Sequence, residues 1–171
     1  KLMAELFFDV AANVFSEKQD LAVLVPASNE LRYEQLRELL SRRTQPYIKI
    51  MLKGARQAME ASDAILLTSG TSALEAMLLK KPMVVSYRLG NLSFAILSRL
   101  VKTPYISLPN LLSNRLLVPE FIQDAATSEN LSAAVLKLFN GQLEDNFKED
   151  FLILHDALRL DSGMLAAAAI E

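Results

Sequence analysis

The chain has 171 residues, 51% of them hydrophobic and 22% charged, with a formal net charge of −2, no cysteine and one histidine. That length suits one domain with a core of normal size, and the near-neutral charge gives no global attraction to nucleic acid. Without thiols there is neither a disulfide framework nor a thiolate metal site, which fits a reducing cytoplasm, and His155 alone argues against a His-rich metal centre or a Ser–His–Asp triad. Lys1-Leu2 enters a helical pattern at once, without the layout of a signal peptide. No apolar run approaches the ~18 residues of a spanning helix. A soluble or peripheral domain, and a piece of something longer, is the expectation.

In chain order, Leu2, Leu6, Phe7, Val10, Ala11 and Val14 keep helical spacing and predict a helix over 2–17. Leu21 to Pro26 reads as a short strand, and Ser28 or Asn29 caps a helix over 29–42 with Leu31, Leu36, Leu39 and Leu40 inward. Tyr47–Met51 is a second strand, Lys53–Ala61 a short helix, and Ala64–Leu67 a third strand. Ala73–Lys80 is helical, Pro82–Ser86 a fourth strand, and Ser93–Val101 helical again. Tyr105–Ser107 predicts a fifth strand with an irregular Leu108–Leu112 after it, and Pro119 opens a helix toward Asp124. From Ser128 the pattern is helical, broken at Asn140-Gly141 and again at Ser162-Gly163. Strands alternating with helices imply an α/β fold, a Rossmann-like doubly wound parallel sheet with helices on both faces. Residues 1–140 form the sheet-bearing lobe and 141–171 a helical tail.

Right-handed crossovers put every strand-to-helix loop on one edge of such a sheet. Thr68-Ser69-Gly70-Thr71-Ser72 is one of these loops, where free N–H groups and the helix dipole favour an anion. Ser69, Gly70 and Thr71 fit a diphosphate. Ser72-Ala73-Leu74-Glu75 also fits a capping box, in which Glu75 reaches back to the backbone. A free Glu75 suits ribose hydroxyls better than phosphate, because like charges repel. In the second loop Arg88 offers a bidentate phosphate partner or is a plain surface arginine. The helix that follows, with Arg99 and Lys102, fits an anionic membrane surface or packing on the sheet. In the third, Asn110 offers donor and acceptor to a base or sugar, or bonds its own turn. Glu120 and Gln123, on one face of the predicted helix, fit sugar hydroxyls. Glu144, Asp145, Glu149 and Asp150 read as a solvated helix face, Tyr33, Tyr47 and the methionines as core, and His155 as a packed or surface residue.

Taken together, Asp63-Ala64, Ser69 to Glu75, Pro82 to Arg88, Leu100 to Thr103, Tyr105 to Leu112 and Val118-Pro119-Glu120 resemble the C-terminal half of lipid-A-disaccharide synthase. The resemblance covers about 20–140 in order and the helical tail more loosely; position 72 is Ser where the family usually has Ala. It implies the donor lobe of a two-lobed GT-B glycosyltransferase, with Ser69, Gly70, Thr71, Glu75, Arg88, Asn110, Glu120 and Gln123 as donor-binding residues and no catalytic residue in this stretch. The implied reaction transfers 2,3-diacylglucosamine from its UDP derivative to 2,3-diacylglucosamine 1-phosphate. The products are the β-1,6 disaccharide of lipid A and UDP, formed at the inner face of the inner membrane. No metal and no other cofactor are implied, and the partners are UDP-2,3-diacylglucosamine, an acceptor lipid held by an N-terminal lobe outside these residues, a membrane surface and a second subunit. The family's general base and a Gly-Ser-Arg loop fall before Lys1, so the chain alone is expected to be inactive. A related UDP-GlcNAc transferase or epimerase half, or a non-catalytic nucleotide-binding module, shares the fold, which does not itself decide function. An epimerase needs acidic and histidine groups in its cleft, and His155 lies in the tail.

Overall fold

The structure, a computed structural model, describes residues 2–68, 70–88, 104–141 and 147–159. The expected helix over 93–101, the break at 162–163, Ser69, Glu144 and Asp145 therefore lie outside the described residues.

Helix α1 (Leu2–Glu17) leads into strand β1 (Val23–Ala27), α2 (Glu30–Ser41), β2 (Ile48–Leu52), α3 (Ala55–Ala61) and β3 (Ile65–Thr68). Then come α4 (Thr71–Leu78), β4 (Met83–Tyr87), α5 (Leu108–Ser113), β5 (Glu120–Ile122) with a 3₁₀ turn at Gln123–Ala125, α6 (Ser128–Phe139) and α7 (Phe147–Leu158). All pairings are parallel. The fold is the expected α/β class, in two blocks among the described residues: β1 beside β2, and β3–β4–β5. Caps follow the chemistry of the sequence. Asn29 accepts from Arg32 N to start α2, Thr127 accepts from Asn130 N to start α6, and Asn140 with Gly141 (φ 68) ends it.

The first four strands sit within two residues of their predicted places, but the region after them differs. Tyr105–Ser107 is not a strand, and Ser107 instead caps α5. Pro109 sits in the first turn of that helix, where no intrahelical partner is needed for the missing N–H. Nor does Pro119 open a helix. Its carbonyl accepts from Val85 N at 2.9 Å, and the chain continues as β5 along the free edge of β4. Hydrogen-bonding demand from a buried strand outweighs the local proline signal. Leu31 also points outward, 66% exposed, and α2 buries no residue fully.

The main core collects Ile65 and Leu67 of β3, Ala73, Ala76 and Met77 of α4, Met83 and Val85 of β4, Val118, and Phe151 of α7. A second cluster places Leu6, Val10 and Val14 of α1 with Val84 and the inner face of α6, and a third joins Phe8 and Ala11 of α1 to Ile48 of β2. Helix α1 thus bridges the two blocks. The acidic face expected in the tail is only partly solvated, since Asp150 pairs with Arg115 and keeps 13% of its side-chain area exposed. Phe151→Ala should cost about 3–5 kcal/mol through the cavity left behind, while the neighbouring exposed Leu152→Ala should stay within about 0.5 kcal/mol; urea midpoints of the two variants check this contrast.

Candidate functional site

Carboxyl ends of β3, β4 and β5 lie side by side: Thr68 is in register with Ser86, and Tyr87 with Ile122. Chain order β1–β2 runs one way and β3–β4–β5 the other, so the crevice between β1 and β3 is the switch point where open α/β sheets hold ligands. A cleft of about 1040 Å³ runs there, and Ser28, Lys53, Thr68 and Ser72 line it near the carboxyl edge.

At this edge α4 begins without a side-chain cap. Its N-cap is Gly70, at φ 137, and a Cβ built there meets nothing within 4 Å. That backbone conformation suits glycine and leaves room for a close approach to the first-turn N–H groups, which have no helical partners. Thr71 is the exposed first helical residue. The capping box at Ser72 does not form, because the helix starts two residues earlier, with Gly70 as its N-cap, and Glu75 lies beyond reach of that position. Glu75 is exposed and has no hydrogen-bond or ion-pair partner among the described residues.

Arg88 follows β4 directly. One guanidinium nitrogen, Nη2, donates to Ala126 O, tying the loop after β4 to the turn after β5 and leaving the rest of the fork unengaged among the described residues. Gln123 opens the 3₁₀ turn at φ 51, so Glu120 and Gln123 sit at opposite ends of β5 and share no helical face.

Asn110 and Glu120 come together inside the protein. Asn110 is fully buried; its Nδ2 donates to Val118 O at 2.9 Å and Glu120 Oε1 at 2.7 Å, and its Oδ1 accepts from Leu117 N at 2.7 Å and Val118 N at 2.9 Å. Both donors and both acceptor positions of the amide are used. Glu120 also accepts from Ile106 N at 2.9 Å, Ser107 N at 2.8 Å and the Ser107 hydroxyl at 2.5 Å. Of its four donors, three converge on Oε1 and one, Ile106 N, reaches Oε2. This pair fixes α5 and the approach to β5; the Asn110 amide is fully engaged in this arrangement, whereas the half-buried Glu120 has a single donor on Oε2. Residue spacing does not reveal it, because the two partners lie on different elements ten residues apart. Lys53, a cation after β2 with φ 62, was also missed as a cleft residue; the only signal was its place before Gly54.

The family model for lipid-A-disaccharide synthetase matches residues 1–166. The chain belongs to that family. It is 46% identical over 171 residues to the lipid-A-disaccharide synthase of Pseudomonas aeruginosa, matching 98% of this chain and 44% of that protein. Similarity to the synthase of Cellvibrio japonicus is 45% over 169 residues, again 98% of this chain and 44% of the relative. The chain therefore spans less than half the length of these relatives. No helix among the described residues is long and apolar enough to cross a membrane, and no cluster of three or more His, Asp or Glu side chains suited to a metal occurs among them.

Removing the amide of Asn110 strands Val118 N–H and Val118 C=O and leaves Leu117 N–H only its bond to Arg115 O, so Asn110→Ala should destabilise by about 1–3 kcal/mol or more. Asn110→Asp should cost more at neutral pH, where a second carboxylate is buried against Glu120, and recover in part on acidification, because burial and the neighbouring like charge both favour the protonated form of the introduced group. Thermal melts of both variants at neutral and acidic pH check the sign.

Proposed function

We propose that this chain is the UDP-sugar-binding half of a lipid-A-disaccharide synthase. In this reading the whole enzyme transfers 2,3-diacylglucosamine from its UDP form to 2,3-diacylglucosamine 1-phosphate. Similarity to the synthases along 98% of the chain carries the reading. An uncapped helix N-terminus at the sheet's carboxyl edge supports it.

Diphosphate charge falls on the first-turn N–H groups of α4, with the Thr71 hydroxyl, Ser69 and the open part of the Arg88 fork beside it. Preorganised donors of this kind stabilise charge on a departing diphosphate without needing a metal or other cofactor. Glu75, one turn further along α4, takes the ribose hydroxyls and stands clear of the diphosphate. Gln123 lies at the same edge and serves the sugar. Asn110 and Glu120 act as positioning residues that hold the segment between α5 and β5 around the uracil-ribose end. The acceptor lipid and the general base belong to an N-terminal lobe outside these residues, and the complete enzyme works as a peripheral protein at the inner face of the inner membrane, as a homodimer. Nucleic acid has no part in it.

Titrating the chain with UDP while following backbone amide shifts should move residues within 69–75, 86–91 and 107–123. Shifts confined elsewhere would overturn the site assignment. Glu75→Ala should weaken UDP binding about tenfold, as expected for loss of a charge-assisted hydrogen bond, with an unchanged melting temperature because the side chain has no partner in the fold. An effect on stability alone would return Glu75 to a structural role. The chain by itself should transfer no sugar when given both acylated substrates and should gain activity when the N-terminal lobe is supplied; turnover by the 171-residue chain alone would sink the half-site reading.

A further inference from the structure

Helix α4 ends on a residue that its backbone does not favour. Lys80 N donates to Met77 O at 2.9 Å and Lys81 N to Ala76 O at 3.0 Å, the two bonds of a Schellman ending, which puts residue 80 in the left-handed region. Glycine suits that place, yet Lys80 occupies it at φ 56. Its side chain turns back over the helix end, where Nζ donates to Leu78 O at 2.9 Å and also meets Nδ1 of His155 in the last turn of α7. Lysine carries donors only, so the ammonium donates and Nδ1 accepts. His155 makes this contact as a neutral imidazole with its hydrogen on Nε2.

Helix α7 has few other holds. Phe151 is its one buried residue, Phe147 and Leu154 pack partly against the same core, and Asp150 in the first turn pairs with Arg115. The Lys80 contact is the matching hold on the last turn, and it is the ring's one hydrogen bond among the described residues. Charged groups on the packed elements do not offset a second cation there. On α7 itself, Asp156 and Arg159 are exposed and opposite in sign, and Lys148 and Glu149 lie in the first turn. After α4, Lys81 adds another cation, its Nζ held by Ser62 O at 2.9 Å, while Glu75 is exposed nearer the start of that helix. On α3, Glu60 pairs with Arg56, and Asp63 beyond it is exposed. After α5, Arg115 is taken up by Asp150. The ends of α4 and α7 both favour positive charge, and the Lys80 ammonium already supplies it at Leu78 O.

We propose that Lys80 and His155 form a proton-operated latch on the last turn of α7. Neutral His155 accepts from Lys80 and holds that turn against the end of α4. A proton on Nδ1 removes the acceptor and sets two cations in contact, so the latch opens. Docking of the last turn is complete where imidazole is neutral, and it is lost as the pH falls through the range, between about 8 and 5, in which that side chain takes up a proton. Phe151 and the Arg115–Asp150 pair keep the first half of α7 seated, so the opening is local. Lysine at position 80 then has a reason, since glycine would end α4 as well but would bring no amine. The inference rests on the packing of α4 against α7 and is independent of the donor reading.

The test compares backbone ¹⁵N order parameters of α7 at about pH 7.5 and about pH 5. In the unaltered chain the amides of Leu154 to Leu158 should fall from about 0.85 to below about 0.6 on acidification, while that of Phe151 stays near the upper value. His155→Asn keeps an acceptor near the Nδ1 position and takes up no proton, so its last turn should stay ordered at both pH values. Lys80→Gly ends α4 without strain and has no ammonium, so its last turn should be mobile at both. His155 is the single histidine of the chain, and the carboxylates and the α-amino group are common to all three proteins. Order that persists at about pH 5 in the unaltered chain overturns the proposal, as does an acid response of equal size in either variant or an ordered last turn in Lys80→Gly. No readout involves UDP, so failure here and failure of the donor reading are separate results.

Discussion

A buried strand must find partners for its N–H and C=O groups on both edges, and that demand organises the second block around β4. Met83 to Ser86 are entirely buried, and the ladder to β3 satisfies one edge. Satisfying the other requires Glu120–Ile122 to lie alongside, although this stretch carries a proline at its entry and a carboxylate at its first residue. An ionised group at such a place is costly unless fully bonded. Ser107, Ile106 and Asn110 provide that bonding, which accounts for the conformation of the segment from 106 to 120.

This constraint also divides the polar residues at the carboxyl edge into two kinds. Asn110 is consumed by the fold, its hydrogen-bonding capacity filled, and Glu120 is tied to the same frame by four donors. The opening of α4, Glu75 and most of Arg88 are left unspent among the described residues, and they cluster where the dipole of α4 and the sheet edge favour an anion beside a sugar. The Asn110–Glu120 pair keeps the frame around them from shifting.

The sequence declared its fold class and first four strands because each is an apolar run closed by a turn or a helix start, a signal contained within the run. It failed between 105 and 125, where proline placement suggested a helix and the edge of β4 imposed a strand. Partners on different elements, such as Asn110 with Glu120 or Arg115 with Asp150, carry no period and leave no local trace. The loop around Gly70 was legible as a strand-to-helix turn, but the rival capping box could be dismissed only from the start of α4 at Thr71. Ordered motifs did what single residues could not, since several in sequence point to one family while each alone fits a cap or a turn.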